Sequence, residues 1–433
     1  MKKLATSALL LFAFLPLVIA PHIYDTPFTS GKIVFARGLA FLVIGLVTLY
    51  LFFTKEKEQR SALLHRISVI CKDRLFQTMA LGIIFLVFST IFAFDISYAF
   101  FGESFRGEGF LTLFAFFCIF FSMLLLFEKK HWRLFFIFSF VSSLIVLAIE
   151  YRQKILGMYR PDSLTGNPIF LGGYLFFAIL IALWIVHLGI KEKNKLFITV
   201  GSISAITSIV GIFLTVSRGS VIALAFAILL TATTAFVRGK KITVGQRTLR
   251  FFSGIILTVL LFFGGIFLAT RHNSLWQKIP GIDRIATTSI GKGSAVTRIV
   301  YTKLSFSKFF PDEKIQTVLF GWGWDNFVFF FQKNYYPAMY SIEAAVIDRP
   351  HNKLSDMLVM TGVVGLVTYL IIWVLLFRYC LRLIKKDTFF GFSLFFFLTA
   401  YFINNLFIYD TADTYLAFYT ASAFLIYSRY EQN

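Results

Sequence analysis

The sequence has little charge and almost no cysteine. Charged residues are 15% of the 433 positions against 58% hydrophobic ones, which excludes an ordinary water-soluble protein and leaves a polytopic membrane protein. The three cysteines, Cys71, Cys118 and Cys380, stand at unrelated spacings, so they offer neither a disulfide framework nor a zinc site of paired cysteines. Acidic residues are scarce as well: 22 of them face 42 lysines and arginines, for a net charge of +20. In a soluble chain that balance would suggest nucleic acid. Here membrane topology accounts for much of it, and no nucleic-acid partner is expected.

Several motifs are missing. The chain has no phosphate loop ending in Gly-Lys-Ser/Thr, no His-Glu-x-x-His and no outward Asp-x-Asp pair, and Asp25 stands alone in the first outer loop. Gly321-Trp322-Gly323-Trp324 lacks the strand-turn-helix setting of a dinucleotide site. No cofactor is expected, and any catalysis is expected to be metal-independent. No linker, repeat or low-complexity tract divides the chain.

Apolar runs are what the sequence has in plenty. A bilayer core about 30 Å thick takes roughly 20 apolar residues of helix. Twelve runs near that length begin near Leu4, Ile33, Leu75, Phe110, Leu134, Ile169, Leu196, Val221, Phe251, Met357, Phe389 and Tyr415. The first follows Lys2 and Lys3 in the manner of a signal peptide. Its only small-residue end, Val18-Ile19-Ala20 before Pro21, is a poor cleavage site, so it is read as a span.

Assigning alternate loops to opposite sides places 24 basic residues on one side and 18 on the other, of which 11 lie in the long segment 270–355. Long loops translocate largely regardless of charge, so both termini are expected in the cytoplasm and this 86-residue loop outside. The expected organisation is one integrated domain: nine membrane helices in 1–269, the extracytoplasmic loop in 270–355 and three more helices in 356–433. Within the loop, Gly291-Lys292-Gly293 leads into an amphipathic helix over Ser294 to Phe310, with Val296, Ile299, Val300 and Leu304 at helical spacing. The aromatic run Phe327 to Tyr340 is expected at the interfacial belt.

Charges near the bilayer are costly, so they ask for an explanation. Arg218, in Thr215-Val216-Ser217-Arg218-Gly219-Ser220, is held at the outer end of a tight helical hairpin, either snorkelling to a headgroup phosphate or serving a site. Arg298 lies early on the loop helix, close in sequence to Arg284 and Lys292. Outward arginines suit an anionic ligand, because the guanidinium fork is planar, always charged and bidentate toward phosphate oxygens. His351, in Arg349-Pro350-His351-Asn352, is anchored at the membrane surface by the apolar helix that follows, and could act as a base or merely face headgroups. Thr165-Gly166-Asn167-Pro168 before Gly172 and Gly173, and Arg106-Gly107-Glu108-Gly109, read as outer turns.

Together these positions resemble the O-antigen ligase and O-antigen polymerase superfamily of bacterial membrane glycosyltransferases. The resemblance covers about the C-terminal two thirds of the chain. It rests on Thr165-Gly166-Asn167-Pro168 with Gly172 and Gly173, Ser217-Arg218-Gly219, Arg298 followed by Tyr301, Phe320-Gly321-Trp322-Gly323-Trp324-Asp325-Asn326-Phe327, and His351-Asn352 leading to Gly362 and Gly365. The chain departs from the usual pattern at Met360, where many members carry an acidic residue, and at Lys353, where an apolar or aromatic residue is common.

The resemblance implies an all-α, GT-C-like membrane fold of about twelve transmembrane helices with one long extracytoplasmic loop between the ninth and tenth. It implies transfer of a glycan from undecaprenyl diphosphate to an acceptor hydroxyl, on a glycolipid such as lipid A core or another glycan acceptor, with inversion at the anomeric carbon. Arg218 and Arg298 then match the arginines that hold the diphosphate, and His351 the histidine that orients or deprotonates the acceptor. Arg106, Arg160, Asn167 and Asn352 are further candidates for donor or glycan contacts. A ligase is the first reading and a repeat-unit polymerase the second. A multi-span transporter is the rival from another class, but the unusual residues gather at the outer face rather than at midplane.

Overall fold

In a computed structural model the chain is all-α among the described residues, which are all but 21–25, 55–56, 104–105, 239–243, 288–293, 312, 337–338, 341–346 and 431–433. The first eleven helices are α1 (Lys2–Leu11), prolonged by tighter turns over Phe12–Leu17, α2 (Ser30–Phe53), α3 (Lys57–Cys71), α4 (Arg74–Ile91), α5 (Ile96–Phe101), α6 (Phe110–Leu126), α7 (Lys129–Ile155), α8 (Pro168–Glu192), α9 (Lys195–Leu214), α10 (Arg218–Arg238) and α11 (Val244–Thr270). The long loop carries α12 (Ile282–Ala286), α13 (Ser294–Lys308), α14 (Ile315–Phe320) and α15 (Phe327–Asn334). The chain closes with α16 (Lys353–Lys386), α17 (Thr388–Asn404) and α18 (Ala412–Tyr430).

Eight of these helices, α2, α4, α7, α8, α9, α10, α11 and α16, are long and apolar enough to cross a membrane, and α6 and α17 are shorter apolar helices. The protein is therefore a multi-pass membrane protein. The other two expected runs, at α1 and α18, are also helical. Two helices, α3 and α5, fall where no span was expected: α3 mixes charged residues with apolar ones and α5 has only six residues.

Helix α8 is apolar all round, and it is buried as such a helix must be. Asn167 caps it, accepting from Ile169 N at 3.0 Å, and Pro168 occupies the first turn, where no amide donor is needed. Glycines bring its neighbours close. A Cβ on Gly201 of α9 would lie 2.8 Å from the Ala182 carbonyl of α8, and one on Gly172 would lie 2.3 Å from Ser220 Oγ of α10.

Helix α16 is broken at Gly362, whose φ is +69°. The break turns the Val359 and Met360 carbonyls outward, to accept from Trp322 N at 2.8 Å and Gly323 N at 3.1 Å. Met360 O also accepts from Ser89 Oγ at 2.7 Å. The glycine-rich segment after α14 thus substitutes for the bonds the helix gives up. In the loop, the inward face of α13 is Tyr301, Leu304 and Ser305, while Ile299 is exposed. Phe327, Phe330 and Phe331 of the aromatic run also turn inward, because α15 packs them beside Trp322 and Tyr301.

Candidate functional site

The tight turn from α9 to α10 gathers arginines from three parts of the chain. Val216 takes a φ of +51° there, which aims its own carbonyl and that of Thr215 away from the helices. Arg160 Nε donates to Thr215 O and Arg284 Nη1 to Val216 O, each at 3.3 Å. Arg218 opens α10 directly after this turn.

A cavity of about 670 Å³ lies between the start of α10, helix α13 and the connection from α17 to α18. Arg218, Arg298, Arg271, Lys303 and Asn352 supply its polar wall, and Ile222, Ile285, Phe306, Leu406 and Phe407 much of its apolar wall. Arg298 has no acidic partner among the described residues. Burial, then the charges of Arg218, Arg284 and Arg160, push its pKa down to about 10, so it remains cationic at neutral pH. Burial and the charge of Arg284 also lower Arg160, which stands off the cavity lining. The wall is thus a concentration of positive charge, of the kind that suits an anion. Lys292 and Asp25, singled out in the sequence, lie outside the described residues.

His351 precedes Asn352 and is held in a left-handed backbone conformation, φ +54°. Its ring stacks on Tyr409, with centroids 5.4 Å apart, and Nδ1 is buried with no hydrogen-bond partner among the described residues. Burial, reinforced by the Arg298 charge and opposed by Asp348, pushes its pKa down to about 4, so the imidazole is neutral at working pH. The proximity of Arg298 links the histidine to the cationic wall.

Arg106 supports this corner. It donates from Nε to Asp348 Oδ2 at 2.5 Å and from Nη1 to Tyr409 Oη, and its guanidinium lies 4.3 Å from the Tyr409 ring centre. Burial alone would lower its pKa, but Tyr409, Asp348 and Glu108 raise it overall. With these partners Arg106 braces Tyr409, and it does not line the cavity.

Among the residues named from the sequence, Arg218, Arg298 and Asn352 line one cavity, His351 adjoins it, and Arg106 and Arg160 stand behind it. Asn167 is a helix cap and does not reach the lining. Asn352 both lines the cavity and caps a helix, accepting from Leu354 N at 2.9 Å.

Sequence reading missed the buried charges beneath the histidine. Arg349 Nη2 pairs with Asp325 Oδ1 at 2.5 Å and Glu108 Oε2 at 3.3 Å, and Nη1 lies 3.9 Å from Asp356 Oδ2. Burial pushes Glu108 up to about 7 even with Arg349 and Arg106 opposing it. Met360, one departure from the family pattern, places its sulfur 3.2 Å from Arg349 Nη1. Lys353, the other, is buried against Asp410 Oδ2 at 2.6 Å. The signal lay in single acidic residues scattered over distant segments, and nothing in one sequence pairs them. Among the described residues no three His, Cys, Asp or Glu side chains stand together as metal ligands would.

Arg218, Arg298 and Asn352 thus share one wall, with His351 alongside. Residues 203–370 match the O-antigen ligase family. The matched stretch includes Arg218, Arg298, His351 and Asn352, and leaves out Arg106, Arg160 and Asn167. No curated protein matches the chain.

Proposed function

We propose that the protein is a membrane glycosyltransferase of the O-antigen ligase type. It transfers a glycan from undecaprenyl diphosphate to an acceptor hydroxyl, on lipid A core or another envelope acceptor, at the outer side of the cytoplasmic membrane. The observation that carries this reading is the cavity whose polar wall holds Arg218 and Arg298 beside the neutral His351, within the stretch matched to the family.

The chemistry follows from those groups. The acceptor oxygen attacks the anomeric carbon from the face opposite the diphosphate, the bond from that carbon to phosphate oxygen breaks, and the configuration inverts. Negative charge develops on the departing diphosphate, and Arg218 and Arg298 lower the barrier by standing ready at that point. They supply the charge stabilisation for which other transferases use a metal ion. The hydroxyl proton passes to the neutral imidazole of His351. A bound diphosphate offsets the Arg298 charge that depresses His351, so the histidine becomes a stronger base when donor is present. The apolar wall, with Phe306 and Phe407, faces the prenyl chain. On this reading the membrane helices of 1–269 and 356–433 and the loop of 270–355 act as one unit.

The test is transfer of labelled glycan from undecaprenyl diphosphate in purified membranes, comparing wild type with Arg218→Ala, Arg298→Ala and His351→Ala at matched expression, with chelator present. Loss in the variants and persistence in chelator are expected. Wild-type transfer by all three variants would remove the site assignment, and no transfer by wild type to any acceptor would favour transport. Product length separates ligase from polymerase, since a polymerase extends lipid-linked repeat units.

A further inference from the structure

A second cavity, of about 940 Å³, lies at the opposite end of the bundle, among α3, the start of α4 and the ends of α6, α16 and α18. Arg66, Lys72, Arg74, Arg378, Arg382 and Arg429 line it, with His65 beside them. Among the described residues two carboxylates, Asp73 and Glu128, line this group, and both are engaged. Asp73 accepts from Arg429 Nη1 at 2.8 Å and Tyr379 Oη at 3.1 Å, and Glu128 pairs with Lys2 at 3.1 Å. Arg66 is turned onto the Leu124 and Phe127 carbonyls at 2.9 and 2.5 Å. Lys72, Arg74, Arg378 and Arg382 have no acidic partner among the described residues.

A topological preference for basic residues would be met by cations spread around the rim of the bundle. Here they converge on one concavity, and two lipid-facing stripes lead into it. Arg74, Gln77, Leu81, Ile84 and Phe88 share one exposed face of α4. Val367, Ile371, Val374, Arg378 and Arg382 share one exposed face of α16, and the two helices pack together. Each stripe is apolar away from the cavity and ends in arginine at it, with Gln77 next to Arg74 on α4. An apolar track ending in clustered guanidinium groups has the form of a phospholipid with anionic phosphate at its head.

We propose that this basic bowl binds the phosphates of an anionic membrane phospholipid, with its acyl chains along the exposed faces of α4 and α16. A headgroup with two phosphates, as in cardiolipin, uses more of the bowl's cations than one with a single phosphate. The site is separate from the glycan-transfer cavity, sharing no lining residue with it.

The test uses the full chain purified in detergent. Thermal unfolding is followed while cardiolipin, phosphatidylglycerol or phosphatidylcholine is titrated in, with inorganic pyrophosphate as the soluble phosphate. Cardiolipin and then phosphatidylglycerol are expected to raise the midpoint, phosphatidylcholine to leave it unmoved, and added salt to weaken the effect. Arg378→Gln with Arg382→Gln should weaken apparent cardiolipin binding about thirtyfold, while Lys385→Gln with Lys386→Gln, exposed on the same helix, should change it less than about twofold. Both pairs remove the same charge from exposed positions, so a fold-wide effect would appear in both. Equal weakening in the two pairs, or an equal response to phosphatidylcholine, overturns the site. Displacement of cardiolipin by pyrophosphate at a lower concentration than the lipid assigns the bowl to a soluble phosphate compound and overturns the lipid reading.

Discussion

Arg349 Nη2 lies 2.5 Å from Asp325 Oδ1, joining the residue two before His351 to the glycine-rich segment that braces the broken helix α16. The pair is buried, with Glu108 and Asp356 completing the arginine's surroundings. Burial alone would lower the arginine's pKa, but Asp325, Asp356 and Glu108 hold it well above the ordinary value. Replacing Arg349 by methionine leaves those carboxylates without their counter-charge, and a stability loss of about 3–5 kcal/mol is expected. Glu108 already sits near 7, and without the arginine it rises further. Its neutral form is favoured in the fold, so the variant should be relatively more stable at pH 5 and lose stability as pH rises through that raised value. Thermal unfolding of the purified variant across pH checks both statements.

Arg298→Ala should reduce turnover of glycan transfer on the order of 10²–10³-fold, as removal of a charge-stabilising donor does elsewhere. Arg298→Lys should recover part of it, because the ammonium keeps the charge and loses the fork. Arg218→Ala should behave alike. A rise in KM with turnover intact would instead mean that these arginines only bind the donor.

His351→Asn has a signature that does not require substrate. In the folded protein His351 titrates near 4 and in the unfolded chain near its ordinary 6.5, so between those values the unfolded chain binds more protons. Wild-type stability therefore falls as pH drops from 6.5 toward 4. The asparagine variant should lack that contribution, flattening the curve by up to about 1.4 kcal/mol per pH unit in that window. Chemical or thermal unfolding at several pH values measures the difference, and subtracting the two curves removes the opposite contribution of Glu108.

Gly362→Ala should be destabilising out of proportion to one methyl group. The position has φ +69°, and a Cβ there would lie 2.3 Å from Leu319 O. Backbone strain alone costs about 1–3 kcal/mol, and the clash pushes α14 away from α16. The expected result is a lower unfolding midpoint together with weaker transfer, since the same helix positions Asn352.

Lys353→Met alone should destabilise by about 3–5 kcal/mol by stranding Asp410, and Lys353→Met with Asp410→Asn should restore most of that loss. The ion pair is buried and joins α16 to the α17–α18 connection, where Asn405 Nδ2 and Tyr401 Oη also bind Asp410. A double variant no better than the single one would show that the pair acts through other contacts.

Much of the architecture is legible without coordinates, because apolar length is a one-dimensional property. Each helix start in the bundle follows a break visible in the chain, such as Asn167-Pro168 before α8 or Asp387 before α17. Arg218 stands at a hairpin end because Thr215 to Ser217 is too short to carry it anywhere else. Asn404 of α17, a polar residue inside an apolar run, accepts from Ser220 Oγ of α10 at 3.0 Å. The kink at Gly362 and the orientation of α13 are less accessible. Both depend on which remote segment arrives to take a carbonyl or cover a face.

By itself the sequence determined the all-α membrane class, the positions of the apolar runs, and the few arginines and histidines that hydrophobic surroundings make conspicuous. A bilayer acts on each segment separately, so hydropathy and local capping are enough to specify them. Only the tertiary structure decided that Arg218, Arg298 and Asn352 share one cavity, that Arg106 and Arg349 are tied to carboxylates, and that Lys353 answers Asp410. The physical reason is that a charge in a low-dielectric interior is tolerated only beside its partner, and that partner can stand hundreds of positions away, 242 for Arg106 and Asp348.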